Sequence, residues 1–403
     1  MATSADLELS TAQSTRRVGS GGWSAVFALT LCVSTLIASE FMPVSILTPI
    51  AADLQVSEGT AGQAIAVSGL FAVLTSLSIS TLIRRMDRRL VLLGLTVVML
   101  LSGLTVALAP NYLVFMIGRA LIGVVIGGFW SMSAATVMRL VPEEQVPRAL
   151  ATLNGGNALA TTIAAPLGSF LGQFIGWRGA FMVVVPLAAI TLAWQWVTLP
   201  AMPPKSGEAG PSALGVLKLP QARGGMLAVA LLFAGQFALF TYLRPFLEGT
   251  TGLSVSLLSL VLLAMGAAGL LGTALIGRAV ERSLTAVLTI APLVMAAVAL
   301  ALVAFGGFAW PTALLLGVWG LIGTALPVAW WTWLSRALPN DAEAGGGLMV
   351  AVIQLAITVG AAGGGLLFDA AGHRATFLAS AVLLTGSALV TLGSRNRSHL
   401  SKA

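Results

Sequence analysis

Of the 14 Asp and Glu residues in the chain, Glu40 is the only one that falls deep inside a long apolar stretch. A carboxylate at the centre of a bilayer costs roughly 2.5–3.5 kcal/mol on insertion scales, so such a residue is expected to face a cavity or a partner. Desolvation disfavours its charge and a nearby arginine favours it. A group pulled in both directions can load and release a proton as access to it alternates. The alternative is a static ion pair that holds helices together. Arg119 could supply the partner, and it opens the pattern Arg119-xxx-Gly123-xxx-Gly127-Gly128. Four-residue spacing places Arg119, Gly123 and Gly127 on one helix face, and the glycines permit close approach of a neighbouring helix. Glu40 and Arg119 fall in the same half of the membrane and could meet there.

Uncharged polar residues recur at similar depth: Asn154, Asn157, Gln236 and Gln354. Amides offer donors and acceptors without charge, which suits a neutral polar ligand. Phe129, Trp130, Phe240, Trp330, Trp331 and Trp333 could supply faces for stacking a flat ring, although Trp also gathers at membrane interfaces. Trp130 and Trp330 are the favoured pair because they occupy equivalent positions in an internal repeat. Arg244, in Phe240-Thr-Tyr242-Leu-Arg244-Pro245, is either a snorkelling interfacial residue or a contact at an outer gate or substrate. Ala165-Pro166-Leu-Gly168-Ser-Phe-Leu-Gly172 implies a kinked, closely packed helix, which is either plain packing or the deformable part of an antiport cycle.

The elements that must position these residues are membrane spans. The chain of 403 residues is 57% hydrophobic and 9% charged, whereas a soluble domain carries about 25% charged residues. A spanning helix needs about 20 apolar residues. Twelve stretches qualify: 23–50, 60–83, 90–109, 112–138, 149–175, 180–199, 225–247, 255–278, 284–305, 311–334, 346–367 and 375–393. The expected fold is all-α and polytopic, with two pseudo-symmetric six-helix bundles, 23–199 and 225–393. A linker at 200–224 joins them, and tails at 1–22 and 394–403 flank them. The Ser/Thr-rich first tail is expected to lack regular structure. The halves resemble each other in order, at offsets of about 196 to 202 residues. Leu121-Ile122-Gly123 recurs as Leu321-Ile322-Gly323. Arg139-Leu-Val-Pro142 recurs as Arg336-Ala-Leu-Pro339, and Trp177-Arg178-Gly-Ala-Phe181 as His373-Arg374-Ala-Thr-Phe377. Pro43 matches Pro245. Two like halves with a pathway between them, and substrate near the midplane, make a transporter architecture.

The net charge of +7 follows topology. With the N-terminus in the cytoplasm, 17 of the 21 Lys and Arg residues fall in cytoplasmic segments, two (Arg178 and Arg374) outside and two (Arg119 and Arg244) within spans. That is the positive-inside distribution and puts both termini in the cytoplasm. Nucleic acid is therefore not an expected partner. No phosphate-cradling G-x-x-x-x-G-K-[ST] is present. The two histidines, His373 and His399, lie outside the spans, which leaves no HExxH metal site and no Ser–His dyad in the membrane. Cys32 is the only cysteine, so no intrachain disulfide is possible. A membrane enzyme, channel or receptor fits less well than a carrier, and no cofactor or metal is expected.

With these residues in hand, the chain resembles the major facilitator superfamily, in its drug:proton antiporter branch. Arg119-xxx-Gly123-xxx-Gly127 is similar to the superfamily's fourth-helix motif. Ala165-Pro166-Leu-Gly168 is similar to the antiporter motif of the fifth, with Ala where Gly is usual before the proline. Arg84-Arg85-Met-Asp87-Arg88-Arg89 keeps the terminal basic pair of the loop motif between helices 2 and 3. The usual Asp position there holds Arg84 and the usual Gly holds Asp87, which puts the family's inner-gate salt bridge in question. Gly127-Gly-Phe-Trp130, Phe233-Ala-Gly-Gln236-Phe-Ala238, Thr241-Tyr242-x-Arg244-Pro245 and Ala351-Val-Ile-Gln354-Leu-Ala356 resemble bacterial purine ribonucleoside exporters of that superfamily. The resemblance implies proton-coupled efflux of inosine, guanosine and related purines across the bacterial inner membrane. The protein is expected to act as a monomer in the lipid bilayer, with Glu40 as proton carrier tuned by Arg119. Gln236, Asn157 and Gln354 would bond base or ribose, Trp130 and Trp330 would stack, and Arg244 would contact substrate. A broader drug or sugar exporter of the same branch is the alternative.

Overall fold

The computed structural model describes the backbone of residues 4–82, 86–203, 213–338 and 342–400. Every regular element among the described residues is helical. In hydrocarbon a peptide group must bond within its own segment or a closed barrel, and long apolar runs resolve that demand as helices. The first crossing is α1 (Ser4–Ser45) with the short α2 (Leu47–Leu54). The second, third and fourth are α3 (Glu58–Leu82), α4 (Arg88–Ala107) and α5 (Tyr112–Leu140). α6 (Val146–Thr198) holds two crossings broken at Gly176. α7 (Pro220–Phe240) and α8 (Leu243–Gly249) form the seventh. α9 (Val255–Phe305) holds two, broken at Ser283. α10 (Ala309–Gly323) and α11 (Leu326–Ala337) form the tenth. α12 (Ala342–Leu400) holds the last two, broken at Gly372. Nine helical stretches among the described residues are long and apolar enough to span a membrane, and three of them are double, so the crossings number twelve. All three breaks fall in the gaps between the sequence-predicted spans.

The internal repeat is visible in how the breaks are made. Gly176 and Gly372 adopt φ of 70° and 71°, a left-handed conformation that glycine takes without steric cost. Each precedes its copy of the recurring aromatic-or-His-Arg string, and the Phe181 and Phe377 that close those strings are fully buried. At the other end, Ser283 sits in extended backbone and its Oγ accepts from Ala286 N at 3.3 Å. The matching place in the first half holds Asp87, whose carboxylate caps α4 by accepting from Arg89 N at 2.8 Å.

Two expectations change. The first helix extends back to Ser4 where a structureless tail was expected; residues 4–21 contain no proline to stop it. Asp87, placed by motif at a gate, also accepts from Met202 N at 2.9 Å, and Arg89 Nη2 donates to Trp196 O at 2.7 Å. This group ties the start of the linker to the first half; Arg88 N joins it by donating to Met202 O at 3.1 Å. Arg84 and Arg85, and linker residues 204–212, lie outside the described residues.

Candidate functional site

A cavity of about 790 Å³ lies between the two halves. Sites for small molecules are typically about 300–1,000 Å³. α1, α5 and α6 of the first half line it, together with α7 and α9 to α12 of the second. Glu40, Trp130, Asn154, Asn157, Gln236 and Gln354 all reach it. Among the described residues that line it, Glu40 is the sole charged side chain.

The floor is built by a matched pair of dipeptides. Phe41 stacks on Phe237 with centroids 5.7 Å apart, and Phe240 meets both rings edge-on at 6.4 and 5.8 Å. Glu40 precedes Phe41 and Gln236 precedes Phe237, so the stacked rings bring both polar residues to one depth. The Glu40 carboxyl is 4% exposed, and the side-chain amide of Gln354 reaches it from the other half. Phe41 and Phe237 did not stand out in the sequence. In helices that are apolar all round, spacing does not separate a lining phenylalanine from a core one; their adjacency to Glu40 and Gln236 is the signal that was available.

Two arginines are fixed by prolines in the first crossing. Pro43 has no N–H for the carbonyl of Ser39, four residues back. Arg119 Nη1 fills that vacancy at 2.8 Å, and the same guanidinium donates to Glu40 O at 3.0 Å, Ala64 O at 3.3 Å and Ser68 Oγ at 3.2 Å. Pro49 likewise deprives the carbonyl of Ser45, and Arg244 Nη1 donates to it from the opposite half while Nη2 pairs with Glu248 at 2.7 Å. Arg119 thus lies close to Glu40, but it holds backbone carbonyls and makes no ion pair with the Glu40 carboxylate. Its demand for acceptors is met by α1 and α3. Arg244 stands outside the cavity lining. At 6% exposure it is buried, which excludes snorkelling and makes it a strut between the halves.

Glycines set the helix spacing. A Cβ at Gly123 or Gly127 would run into the carbonyl of Ser68 or Ala72, so α5 lies directly on α3. A Cβ at Gly168 would meet Ser45 and Met42, which places the first part of α6 on α1. Pro166 in α6 is buried beside the lining residue Ala165.

One end of the cavity is sealed. Beyond the phenylalanine floor, Asp369 of α12 accepts from Ser57 Oγ at 2.5 Å and from Gly59 N at 2.9 Å, capping α3 from the opposite half. Tyr242 is fully buried and its hydroxyl donates to Ala361 O at 2.8 Å. Gln63 Nε2 donates to Ala362 O at 3.3 Å. On the other flank Ser259 Oγ donates to Ser169 Oγ at 2.9 Å. The other end is open: the lining residues Asn154, Trp331 and Ser335 there are exposed.

One aromatic expectation is corrected. Trp330 is 1% exposed and packs in the core, its ring 5.5 Å from Trp333. Trp331, 43% exposed, is the one that lines the cavity. Neighbouring helix residues point about 100° apart, so a small register change swaps them. The tenth crossing unwinds between Gly323 and Leu326, ahead of Pro327, whereas α5 runs unbroken through the matching region. Sequence equivalence with Trp130 therefore does not carry over into facing.

Comparison with known proteins agrees with this architecture. A family model described as Major Facilitator Superfamily matches residues 26–349. The transcription regulatory protein OpdE of Pseudomonas aeruginosa is 58% identical over 93% of this chain and 94% of its own length. The purine ribonucleoside efflux pump NepI of Salmonella typhimurium is 42% identical over 91% of this chain and 93% of its own. Among solved structures, a bacterial homolog of the human lysosomal transporter Spinster, described as inward-facing and unoccupied, aligns with a TM-score of 0.75 at 15% identity, covering 93% of this chain and 97% of that one. The human organic anion transporter MFSD10 aligns with a TM-score of 0.69 at 15% identity, covering 92% and 99%. The chain is a multi-pass membrane transporter rather than an enzyme, and it belongs to the Major Facilitator Superfamily.

Proposed function

We propose that this protein exports purine ribonucleosides such as inosine and guanosine, and related purine analogues, across the bacterial inner membrane in exchange for protons. The observation that carries this reading is the cavity between the halves, with its one carboxyl among the described lining residues, its amides and its aromatic floor. The resemblance to NepI supplies the substrate class. The open end of the cavity lies with Arg148 and Arg336, and the sealed end with Arg178 and Arg374; the positive-inside rule supports reading this as the cytoplasm-open state, with both termini in the cytoplasm. We read the transporter as a monomer, a reading supported by a cavity lined by residues of both halves of one chain.

Glu40 carries the proton. In the cytoplasm-open state it releases the proton and the nucleoside enters. Once the Ser57–Asp369 and Arg244–Ser45 contacts part, the nucleoside leaves to the outside and Glu40 is protonated again. Arg119, held by α1 and α3, supports the carboxylate from behind. One charge moved through 100 mV is worth about 2.3 kcal/mol, enough for roughly a fifty-fold nucleoside gradient per proton.

The name of OpdE favours a second reading, an influence on gene expression. In this fold such an influence would act through the concentration of the exported solute.

The test is uptake of labelled inosine into inside-out vesicles with the proton gradient on and then collapsed. Gradient-dependent uptake supports the proposal. Absence of inosine uptake by correctly inserted protein overturns the nucleoside assignment and leaves a drug or sugar exporter. A strain lacking the protein would show altered transcription under either substrate, so expression profiling alone does not decide the matter.

A further inference from the structure

Many hydroxyls of the cavity wall have their donor hydrogen already bound to backbone. Thr161, Thr162, Thr273 and Thr332 each donate their hydroxyl hydrogen to the carbonyl four residues back in their own helix, at 2.8 to 2.9 Å. Ser133 and Ser335 do the same three residues back, at 3.3 and 2.9 Å. What these hydroxyls have left for a ligand is lone pairs. Nearer the floor, Oε1 of Gln236 and Oε1 of Gln354 are buried without a hydrogen-bond partner. The orientation of Gln354 follows from its neighbour: a carboxylate can only accept, so the amide NH₂ turns to Glu40 and the carbonyl oxygen is left over. A buried acceptor without a donor is costly, and here two of them lie with the Glu40 carboxyl, which only accepts when ionised, near the floor of the cavity. No Arg, Lys or His is present among the described residues that line the cavity.

We infer, resting on the nucleoside reading above, that Glu40, Gln236 and Gln354 together select purines whose six-membered ring presents an N–H donor at N1. Hypoxanthine and guanine nucleosides meet that condition. The ring lies against Phe41 and Phe237, its N1–H donates to the Glu40 carboxylate, and in guanosine the 2-amino group donates a second, parallel bond. The amide oxygens of Gln236 and Gln354 take the remaining donors of the base or ribose. Adenosine is rejected because its N1 is a bare lone pair that would face the carboxylate. A site built to bond one group discriminates strongly against an analogue that lacks it, since its own buried polar atoms are then left unpaired. The ionised carboxylate offers two acceptor oxygens, whereas the protonated acid turns one of them into a donor, so the paired N1–H and 2-amino bonds of guanosine are lost together only as Glu40 takes up its proton.

The experiment is ligand binding to the purified full-length transporter, read by calorimetry, with guanosine, inosine, adenosine and 1-methylinosine, in which a methyl replaces the N1 hydrogen. Guanosine and inosine are expected to bind at least ten-fold more tightly than adenosine and 1-methylinosine. In Glu40→Gln the amide can turn a donor to adenosine N1 and an acceptor to its 6-amino group, so the preference for inosine over adenosine falls at least ten-fold. Equal binding of inosine and 1-methylinosine to the wild type overturns the inference while the nucleoside reading stands. So does an unchanged inosine-to-adenosine ratio in a folded Glu40→Gln. If no nucleoside binds, the nucleoside reading falls and this inference with it. Should Glu40→Gln fail to fold, the four-ligand series on the wild type still decides.

Discussion

Single residues of the first crossing decide what the two buried arginines do. The missing N–H groups of Pro43 and Pro49 leave the carbonyls of Ser39 and Ser45 open, and Arg119 and Arg244 occupy them. Arg119→Ala would orphan the Ser39 carbonyl, which Pro43 leaves without a helical partner, and would take the additional bonds from the Glu40 and Ala64 carbonyls in a fully buried place. At roughly 1–3 kcal/mol for an unsatisfied buried group, with the void left by the side chain added, the variant is expected to be less stable, seen as a lower midpoint of thermal unfolding in detergent. A midpoint equal to that of the wild type would contradict the bonding described. The sequence revealed Arg119 and Glu40 as a neighbouring pair, but not that the arginine would choose carbonyls over the carboxylate. The choice depends on where α3 brings Ala64 and Ser68, and no local pattern records that. Trp330 and Trp331 separate in the same way. Trp330→Ala empties a packed core position and is expected to cost about 3–5 kcal/mol. Trp331→Ala leaves stability within about 1 kcal/mol and weakens inosine binding. The opposite pattern in thermal shifts and binding isotherms would reverse the two assignments.

Among the elements, the seam between α3 and α12 is where the sealed end closes. Its closeness depends on glycine: a Cβ at Gly62 would strike the Tyr242 ring, and one at Gly59 would strike Asp369. Gly62→Val is therefore expected to hold the sealed end apart. Spin labels at the exposed positions Gln55 and Ala371 would then show a longer distance distribution than in the parent protein. An unchanged distribution would mean that the seam tolerates the added bulk and is not the closing surface. Arg244→Ala is expected to shift the same distribution in the same direction, because the strut to Ser45 is lost. The apolar crossings, the gaps in which their breaks fall and the glycine motif of α5 were legible in the sequence, since apolar length and glycine spacing are local properties. The seam was not. Which glycine faces which neighbour is set by packing across half the chain.

At the level of the whole molecule, the apolar stretches and the repeat gave the architecture in advance. Long apolar stretches in lipid have one solution for their backbone, and the matching strings in the two halves announced two bundles around a common pathway. What the repeat concealed is its own imperfection: the tenth crossing unwinds where the fourth does not, and the cavity wall changes accordingly. Orientation can be checked independently of transport. A reporter active only outside the inner membrane, fused after residue 403, should be silent, and one inserted between Asn111 and Tyr112 should be active. The reverse result would put the open end of the cavity outside and turn the proposed exporter into an importer.

The central claim is that one carboxyl in this cavity couples nucleoside movement to proton movement. Its most direct test is proton flux driven by substrate alone. Proteoliposomes containing the purified protein and a trapped pH indicator would be loaded with inosine and diluted into inosine-free buffer, with no initial pH difference and potassium and valinomycin present to clamp the voltage. Inosine leaving is predicted to drive protons in, so the lumen acidifies. Glu40→Gln is predicted to exchange labelled for unlabelled inosine across the membrane without acidification. Inosine efflux from wild-type vesicles with no change in luminal pH would contradict the account, as would an undiminished pH change in Glu40→Gln.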